Sequence, residues 1–346
     1  MLRLYKPIRH DIFKLHALLE KVVCEVWCTA SDDVCDDKLD NEFKKIYKYS
    51  YKSTKKVKKT LKEEVERIYE IFKTLTPEQR ESIKQAFVTN NKIETLCNGA
   101  TPVYISQLPD VVANDIKPLF RWCYEKLFDN RKVLGDKMDY YNQLIKYIDN
   151  DFDTCPCCGL SDIESSDSIC REDYDHYLPK SHYPFASVNF KNLVPICNKC
   201  NRDRKKAKDP IENDRIAFYP FSTEEHSIEL SLEYVADIDN ITKQLKFSGL
   251  KIDLIGDTRK INTWDWLFDI KTRYKDQIKT FTKTFLKRIE RRHEDFLKLD
   301  ENWSYANTLD SLIEDYKFDY YEEKKFLKIA FLIAIKKDVE FMKVYE

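Results

Sequence analysis

Glycine is scarce in this chain, with 5 residues in 346, and there are only 11 prolines. All-β proteins depend on many tight turns, and disordered chains are rich in proline and glycine, so the composition disfavours both classes. Hydrophobic residues make up 42% of the sequence and charged residues 34%, a balance typical of a soluble, mostly helical protein. The length allows two or three compact regions with a sizeable core.

An excess of charge of either sign is also missing, because the net charge is −1 at pH 7. Any polyanionic partner must therefore be bound by local basic patches. No run of 18 apolar residues occurs, and the best candidate, 326–335, is interrupted by Lys328. The first residues lack the apolar stretch of a signal peptide. These absences predict a cytoplasmic protein without membrane association, whose 11 cysteines are metal ligands or buried thiols.

The chain divides into three predicted segments. Residues 1–150 carry apolar side chains at helical spacing, with one helix expected through Val57–Phe72. Residues 151–222 lose this periodicity and are rich in Cys, Pro, Asn and Tyr, as in a small domain held by a metal. Residues 223–346 begin with alternating stretches that predict a β-hairpin, with Ser248-Gly249 as a turn or bulge, and continue as helices. We expect a mainly α fold with a small α+β insert.

Two Cys-x-x-Cys pairs lie within the middle segment, and Gly159 follows the first of them. Pairs at this spacing are typical of structural zinc sites in reducing compartments. The pattern predicts one zinc ion held by four thiolates: Cys155, Cys158, Cys197 and Cys200. Cys157 could replace a neighbour, and Cys170 is a spare thiol, but the Cys-x-x-Cys geometry favours the four named.

The segment between the two pairs carries residues suited to a different chemistry. Asp175-His176 lies on a predicted short strand, and Asn192-Leu193 opens a predicted partner strand. Asn201 follows the last cysteine and begins a helix-compatible stretch that ends at Asp209-Pro210. Asp and Asn oxygens suit a hard divalent cation, and a neutral His suits proton transfer near pH 7. The predicted order is cysteine pair, strand, strand, cysteine pair, helix.

These residues resemble the HNH endonucleases, whose ββα-metal (His-Me finger) fold is embedded in a four-Cys treble-clef zinc site. The resemblance covers roughly residues 151–221 and not the flanking helices; the third motif residue is Asn201 instead of His. It implies hydrolysis of phosphodiester bonds in DNA with His176 as general base. It further implies that Asp175 and Asn201 hold one Mg or Mn ion, and that Asn192 braces the loop that orients His176. His182 is a second candidate for the base, and RNA remains open as a substrate.

Basic residues provide candidate phosphate contacts. In the resemblance, Arg204 and Lys205 follow the last motif residue and contact the nucleic-acid backbone. A lysine- and tyrosine-rich stretch, 47–62, is a further candidate through four lysines: Lys55, Lys56, Lys58 and Lys59. A third basic stretch, Lys279–Arg292, lies on a predicted helix. A charge run is more often a solvated helix face, so both stretches have a structural alternative.

The motif sequence, Asp-His-Tyr-Leu-Pro-Lys-Ser followed by Asn-Leu-Val-Pro, most resembles that of stand-alone HNH nucleases of bacterial anti-phage defence, of the Septu type. That similarity implies a protein partner such as a defence ATPase, or a homo-oligomer, bound through the helical regions. A second hypothesis belongs to another class. A treble-clef zinc module can keep this fold, be catalytically inert, and bind nucleic acid or protein.

Overall fold

The computed structural model describes residues 1–47, 49–52, 58–128, 134–150, 152–238 and 245–345. They form two compact units. The larger unit comprises Leu4–Phe152 and Ile163–Thr223, and the smaller unit comprises Met1–Arg3, Asp153–Asp162 and Glu224–Glu346. The fold is mainly helical with small antiparallel sheets, as the composition predicted. The division into 1–150, 151–222 and 223–346 follows the sequence alone and stays a prediction. No described helix combines the length and apolar character needed to cross a membrane.

The helices of the larger unit precede its central sheet in the chain. They are α1 Lys14–Lys21, α2 Cys35–Lys38, α3 Asn41–Lys44, α4 Leu61–Thr74, α5 Pro77–Asn90, α6 Ile93–Cys97, α7 Lys117–Trp122 and α8 Lys137–Lys146. Wider, π-type turns extend two of these described helices: Val22–Trp27 follows α1, and Val112–Ile116 and Cys123–Leu127 lie at the two ends of α7.

The start of α4 corrects one prediction. The sequence suggested a helix from Val57, a residue outside the described part, but α4 begins at Leu61. Thr60 accepts a hydrogen bond from the backbone N–H of Glu63, and the Glu63 carboxylate accepts one from the backbone N–H of Thr60. This reciprocal capping box satisfies two N–H groups that a helix start leaves unpaired. Thr76 and Gln79 form the same arrangement at α5.

Two short sheets belong to the larger unit. Strands β1 (Ser50–Lys52) and β2 (Lys58–Thr60) pair antiparallel. Strands β3 (Tyr174–His176) and β4 (Leu193–Pro195) also pair antiparallel, with Asp175 opposite Val194 and His176 opposite Leu193. A π-type helical segment, Lys199–Lys205, follows β4. It ends earlier than the sequence suggested, because Lys206 has a φ of 53° that stops the helix.

Aromatic packing fixes the loop that joins β3 to β4. Phe185, at the start of this loop's helical turn, lies with its ring 5.2 Å from that of Phe87 on α5 and 5.8 Å from that of Phe120 on α7. All three rings are fully buried. Buried aromatic pairs of this kind contribute through both apolar area and ring geometry. The loop that carries Ser187 is therefore attached to the helices and not only to its own strands.

The smaller unit contains a β-hairpin followed by helices. The hairpin strands are β5 Glu229–Ile238 and β6 Leu245–Ile255. The helices are α9 Thr258–Phe268, α10 Ile270–Leu297, α11 Tyr305–Phe318, α12 Lys325–Lys337 and α13 Val339–Met342. Val235 pairs with Gly249 and Ala236 pairs with Phe247, so Ser248 is the extra residue of a β-bulge. The sequence had offered a turn or a bulge at this dipeptide.

The first cysteine pair lies in the smaller unit and is held by α9 and α10. Trp264 donates its indole N–H to the carbonyl of Cys157 at 3.0 Å, and Tyr274 donates its hydroxyl to the carbonyl of Cys158 at 3.0 Å. Gly159 has a φ of +64°, and a Cβ there would lie 2.4 Å from the backbone nitrogen of Met1. Both the backbone conformation and the space require glycine at this position.

Candidate active site

Four cysteines converge on one point. The sulfur atoms of Cys155, Cys158, Cys197 and Cys200 all lie within 4.8 Å of one another, and all four residues are buried. A tetrahedral zinc ion with Zn–S bonds of 2.3 Å places its sulfurs about 3.8 Å apart. The second pair is shaped by backbone hydrogen bonds from Cys200 and Asn201 to the carbonyl of Cys197, at 2.9 and 3.0 Å. The four cysteines predicted from sequence could therefore hold a structural metal such as zinc.

His176 ends β3 with its ring in a defined orientation. Its Nε2 lies 3.2 Å from the carbonyl oxygen of Ser187, and its ring meets the ring of Tyr124 edge-on at 4.8 Å. A carbonyl oxygen can only accept, so Nε2 carries the proton and Nδ1 has the lone pair. Burial, together with the charges of Lys180 and Lys205, lowers the pKa of His176 to about 3, while the Ser187 hydrogen bond acts in the opposite direction. The imidazole is neutral at pH 7.

Asp175 lies on the opposite side of β3 from Tyr174 and is 2% exposed. The ammonium of Lys205 lies 3.1 Å from each of its carboxylate oxygens and donates a hydrogen bond to Oδ1. Within the described residues Oδ2 is buried and accepts no hydrogen bond. Burial raises the pKa of Asp175, and the positive charge of Lys205 opposes that rise. The second oxygen is thus a buried acceptor that receives no hydrogen bond from the described residues but already faces the Lys205 ammonium.

Lys205 also links the helical segment to the strand. Besides the carboxylate it donates to the carbonyl of His176 at 2.9 Å, and its side chain is fully buried. The sequence predicted a phosphate contact for Lys205, but here its ammonium binds Asp175 instead. Arg204, the other predicted phosphate contact on this segment, is exposed.

Asn192 is fully buried and bonds the loop between β3 and β4 in three places. Its Oδ1 accepts from the backbone N–H of Leu178 at 2.7 Å. Its Nδ2 donates to the carbonyls of Leu178 and Ala186, at 3.0 and 3.2 Å. An amide can satisfy both a donor and acceptors of the backbone at once, which no apolar side chain can do. The bracing contacts expected from the sequence are therefore present at this residue.

Asn201 lies at the start of the helical segment and faces the residue before β3. Its Nδ2 lies 3.3 Å from the carbonyl oxygen of Asp173, and the neighbouring Arg202 pairs with the Asp173 carboxylate. The amide oxygen of Asn201 is not used by that bond. Asp175 and Asn201 thus offer a carboxylate and an amide oxygen, the ligand types that Mg and Mn prefer. The observation that fits such an ion is the buried Oδ2 of Asp175, which accepts no hydrogen bond within the described residues, although the Lys205 ammonium lies 3.1 Å away.

Two residues that sequence reasoning missed lie beside His176. Tyr124 supplies the ring that contacts the imidazole, and the ammonium of Lys180 lies 5.9 Å from the centre of the same ring. Lys180 is exposed and forms no ion pair within the described residues. A signal for Lys180 existed, since it lies four residues after His176 in the same motif. Nothing in the sequence pointed to Tyr124, which lies about 50 residues away.

His182, the second candidate for the base, has different surroundings. Its Nδ1 lies 3.7 Å from Oδ2 of Asp209, and that same oxygen accepts a 2.6 Å hydrogen bond from the hydroxyl of Tyr183. Its side chain is 43% exposed. His182 is thus a partly exposed imidazole beside a buried carboxylate.

The four lysines predicted from the 47–62 stretch, Lys55, Lys56, Lys58 and Lys59, are not among the residues that form the site described above. Lys55 and Lys56 lie outside the described residues. Lys58 and Lys59 lie on β2, not on the helix that the sequence suggested. Their role in binding stays a prediction.

Replacing Asn192 by alanine is expected to destabilise the protein by about 3 kcal/mol, because it removes the side-chain partner of the buried N–H and carbonyl of Leu178. The Ala186 carbonyl keeps the backbone N–H of Asn189. Urea unfolding followed by circular dichroism measures the change. The matched control is Asn198→Ala, at an exposed asparagine six residues on, which should change the stability by less than about 0.5 kcal/mol. Equal effects from the two substitutions would contradict the bracing role.

One similar protein is ea31 of Escherichia phage lambda, which is 35% identical to this chain over 101 residues. The match covers 28% of this chain and 30% of ea31, so the chain spans less than a third of that relative's length. No family model and no solved structure matches the chain. A functional assignment therefore depends on the residues of the site.

Proposed function

We propose that the protein is a metal-dependent endonuclease of the HNH type, which hydrolyses phosphodiester bonds in DNA. The observation that carries the proposal is the fixed neutral imidazole of His176. Its Nε2 donates to the Ser187 carbonyl, so Nδ1 is the basic nitrogen. The preceding strand residue, Asp175, has a buried carboxylate oxygen, Oδ2, that accepts no hydrogen bond within the described residues. A structural histidine would be expected to use both ring nitrogens for internal hydrogen bonds.

In this proposal His176 Nδ1 takes a proton from a water molecule that attacks the phosphorus in line. The low pKa of the imidazole is a property of the protein without substrate. A phosphate anion beside the exposed Lys180 would offset its charge and raise the pKa of His176 toward its ordinary value. The base would thus become effective when the substrate is bound.

Asp175 and Asn201 are the residues that would hold the divalent ion. When bound, Mg or Mn stabilises the charge on the leaving and non-bridging oxygens. Asn192 keeps the loop from Leu178 to Ala186 in place, and the Ser187 carbonyl of the same connection orients His176. Lys180 follows His176 in the chain, and Arg204 follows Asn201. Both are exposed cations, suited to contact phosphates that flank the scissile bond.

The test is incubation of the full chain with supercoiled plasmid, with and without added Mg or Mn. Conversion to nicked or linear DNA only in the presence of the divalent ion is the expected result. A parallel RNA substrate decides between the two nucleic acids. Absence of cleavage on DNA and on RNA, with either ion and with a copurified partner present, would contradict the proposal.

A second candidate, an inert zinc module that binds nucleic acid or protein, is favoured by one specific contact. Lys205 lies with its ammonium on Asp175, where a metal would need the carboxylate, and its side chain is fully buried. A buried ammonium can take the place of a metal ion as the positive charge that compensates a buried carboxylate. An inert module would bind nucleic acid or a partner with the same affinity whether or not Mg or Mn is present, and would cleave neither polymer.

The biological setting proposed from the motif is anti-phage defence, with a defence ATPase or a second copy of the chain as partner. A nuclease of low sequence specificity would damage its host unless a partner restrained it, and the helices outside 151–222 are the available surfaces. Size-exclusion chromatography with light scattering tests self-association. A strictly monomeric chain that copurifies with no partner from its native host would contradict this part of the proposal.

Arg204 and Lys205 are adjacent, but their substitution should have different consequences. Lys205→Met leaves Asp175 buried without its ammonium and should cost about 3–5 kcal/mol of stability. Arg204→Gln changes an exposed residue, so stability should change by less than about 0.5 kcal/mol, while DNA binding weakens and its salt slope falls by about 1. Chemical denaturation and binding titrations at several salt concentrations measure both. A reversed pattern would mean that Lys205, not Arg204, meets the phosphate.

A further inference from the structure

The long helix α10 carries a row of positively charged side chains that form no ion pair with other described residues. Between residues 279 and 292 the sequence has six basic residues and one acidic residue, Glu290, in a chain whose net charge is −1. Four of the basic residues recur at every fourth position and are all exposed: Lys279, Lys283, Lys287 and Arg291. We call these four the basic stripe. The opposite face of α10 is buried, so the stripe cannot turn inward.

Several exposed lysines of the smaller unit have a carboxylate partner, whereas the basic stripe has none among the described residues. Lys251, Lys317, Lys336 and Lys343 each lie 2.5–2.8 Å from an acidic side chain. No ion pair joins any residue of the stripe to another described residue. Two nearby carboxylates have other partners, since Glu290 accepts from the hydroxyl of Tyr345 at 2.9 Å and Asp295 pairs with Lys298 at 2.8 Å.

The spacing of the stripe suits a regular polyanion. Four residues along an α-helix advance about 6 Å, so the stripe extends about 18 Å. One strand of B-DNA places a phosphate about every 3.4 Å along its axis, which gives about five phosphates over that length. Single acidic side chains on a protein surface do not offer such a regular row.

The surroundings of the stripe favour nucleic acid over a lipid surface. Thr280, Thr284 and Arg288 lie beside it and line a groove of about 320 Å³ together with Phe281. Helices that bind membranes present large apolar side chains outward for insertion, whereas between residues 279 and 292 the large apolar residues of α10 lie on its packed face or in this groove. The groove leaves room for a sugar or base beside a phosphate chain.

We propose that the basic stripe of α10 is a nucleic-acid-binding surface, which holds the phosphate backbone through Lys279, Lys283, Lys287 and Arg291. The choice of nucleic acid as the polyanion rests on the proposed nuclease function. The surface is separate in sequence from the 151–222 segment. It gives the helical part of the smaller unit a role in substrate binding beyond support of the fold.

The test measures binding of labelled single- and double-stranded oligonucleotides by fluorescence anisotropy, without divalent ions, from 50 to 300 mM NaCl. The stripe variant carries four changes, K279Q, K283Q, K287Q and R291Q. The control variant carries K251Q, K317Q, K336Q and K343Q, which remove the same charge from the paired lysines of the same unit. The pair K283Q and K287Q serves if the fourfold stripe variant fails to fold, as judged by circular dichroism.

The stripe variant should lose about 2–4 from the slope of log affinity against log salt, and at least tenfold in affinity at 0.1 M salt. The control variant should change the slope by less than 0.5. Equal changes in both variants, or unchanged binding in the stripe variant, would overturn the proposal. The proposal would also be overturned if the stripe variant lost binding to phosphatidylserine vesicles while its binding of oligonucleotides stayed unchanged. A chain that binds through the stripe but never cleaves DNA would contradict the nuclease function alone.

Discussion

His176→Ala should reduce the rate of divalent-ion-dependent DNA cleavage by about 10³-fold, because removal of a positioned general base typically costs 10²–10⁴-fold. The side chain is fixed by Ser187 and Tyr124, and its Nδ1 is the only ring nitrogen with a lone pair for the water proton. Single-turnover nicking of supercoiled plasmid, with protein in excess, measures the chemical step. Binding of the uncleaved oligonucleotide should change little.

His182→Ala is the matched control for this prediction. His182 lies in the same connection between β3 and β4, is partly exposed, and lies near Asp209 instead of the Ser187 carbonyl. Its replacement should leave cleavage within about threefold of the wild type. If His182→Ala abolished cleavage and His176→Ala did not, the roles of the two histidines would be exchanged. Full activity of both variants would rule out either histidine as the general base, whereas absence of cleavage in the wild type as well would leave the zinc module as the better description.

Loss of the zinc ion should have the largest effect on stability. Binding of a structural zinc ion contributes about 10–16 kcal/mol to folding in zinc-finger peptides at pH 7. Cys197→Ser removes one of four buried sulfurs that lie within 4.8 Å of one another. We expect the variant to lose the metal and its melting temperature to fall by at least about 10 °C. Elemental analysis should give one zinc ion per chain in the wild type and less than half in the variant.

Cys170→Ser is the control, since Cys170 is an exposed cysteine of the same region. It should keep one zinc ion per chain and its melting temperature should change by less than about 2 °C. Limited proteolysis adds a local measurement, because cleavage between residues 155 and 200 should become rapid in Cys197→Ser and remain slow in Cys170→Ser. A wild-type protein that contains no metal when purified without chelators would contradict the zinc site.

Local patterns in the sequence predicted several parts of the structure. The two cysteine pairs predicted the four-sulfur cluster, because ligand spacing within a pair is a local property. Short strands were predicted around Asp175-His176 and Asn192-Leu193, and a turn or a bulge at Ser248-Gly249, where the structure has the bulge. The Thr60–Glu63 capping box was present in the sequence too, although the apolar pattern alone placed the start of α4 too early.

The contacts within the candidate site were decided by the tertiary structure. Tyr124 reaches His176 from a helical run far away in the chain, and the carbonyl of Ser187 selects the tautomer through a loop held by Phe87 and Phe120. Neither contact has a local sequence signal, because each depends on how separate elements pack.

Lys205 is the clearest case of a residue whose environment the sequence could not give. Its position in a basic run predicted an exposed phosphate contact, yet its neighbour Arg204 is exposed and Lys205 is buried on Asp175. The sequence determined that a lysine and a carboxylate are present. Only the packing of the Lys199–Lys205 segment against β3 decided that they meet, because a buried ammonium needs a charged partner and hydrogen-bond acceptors that come from another element.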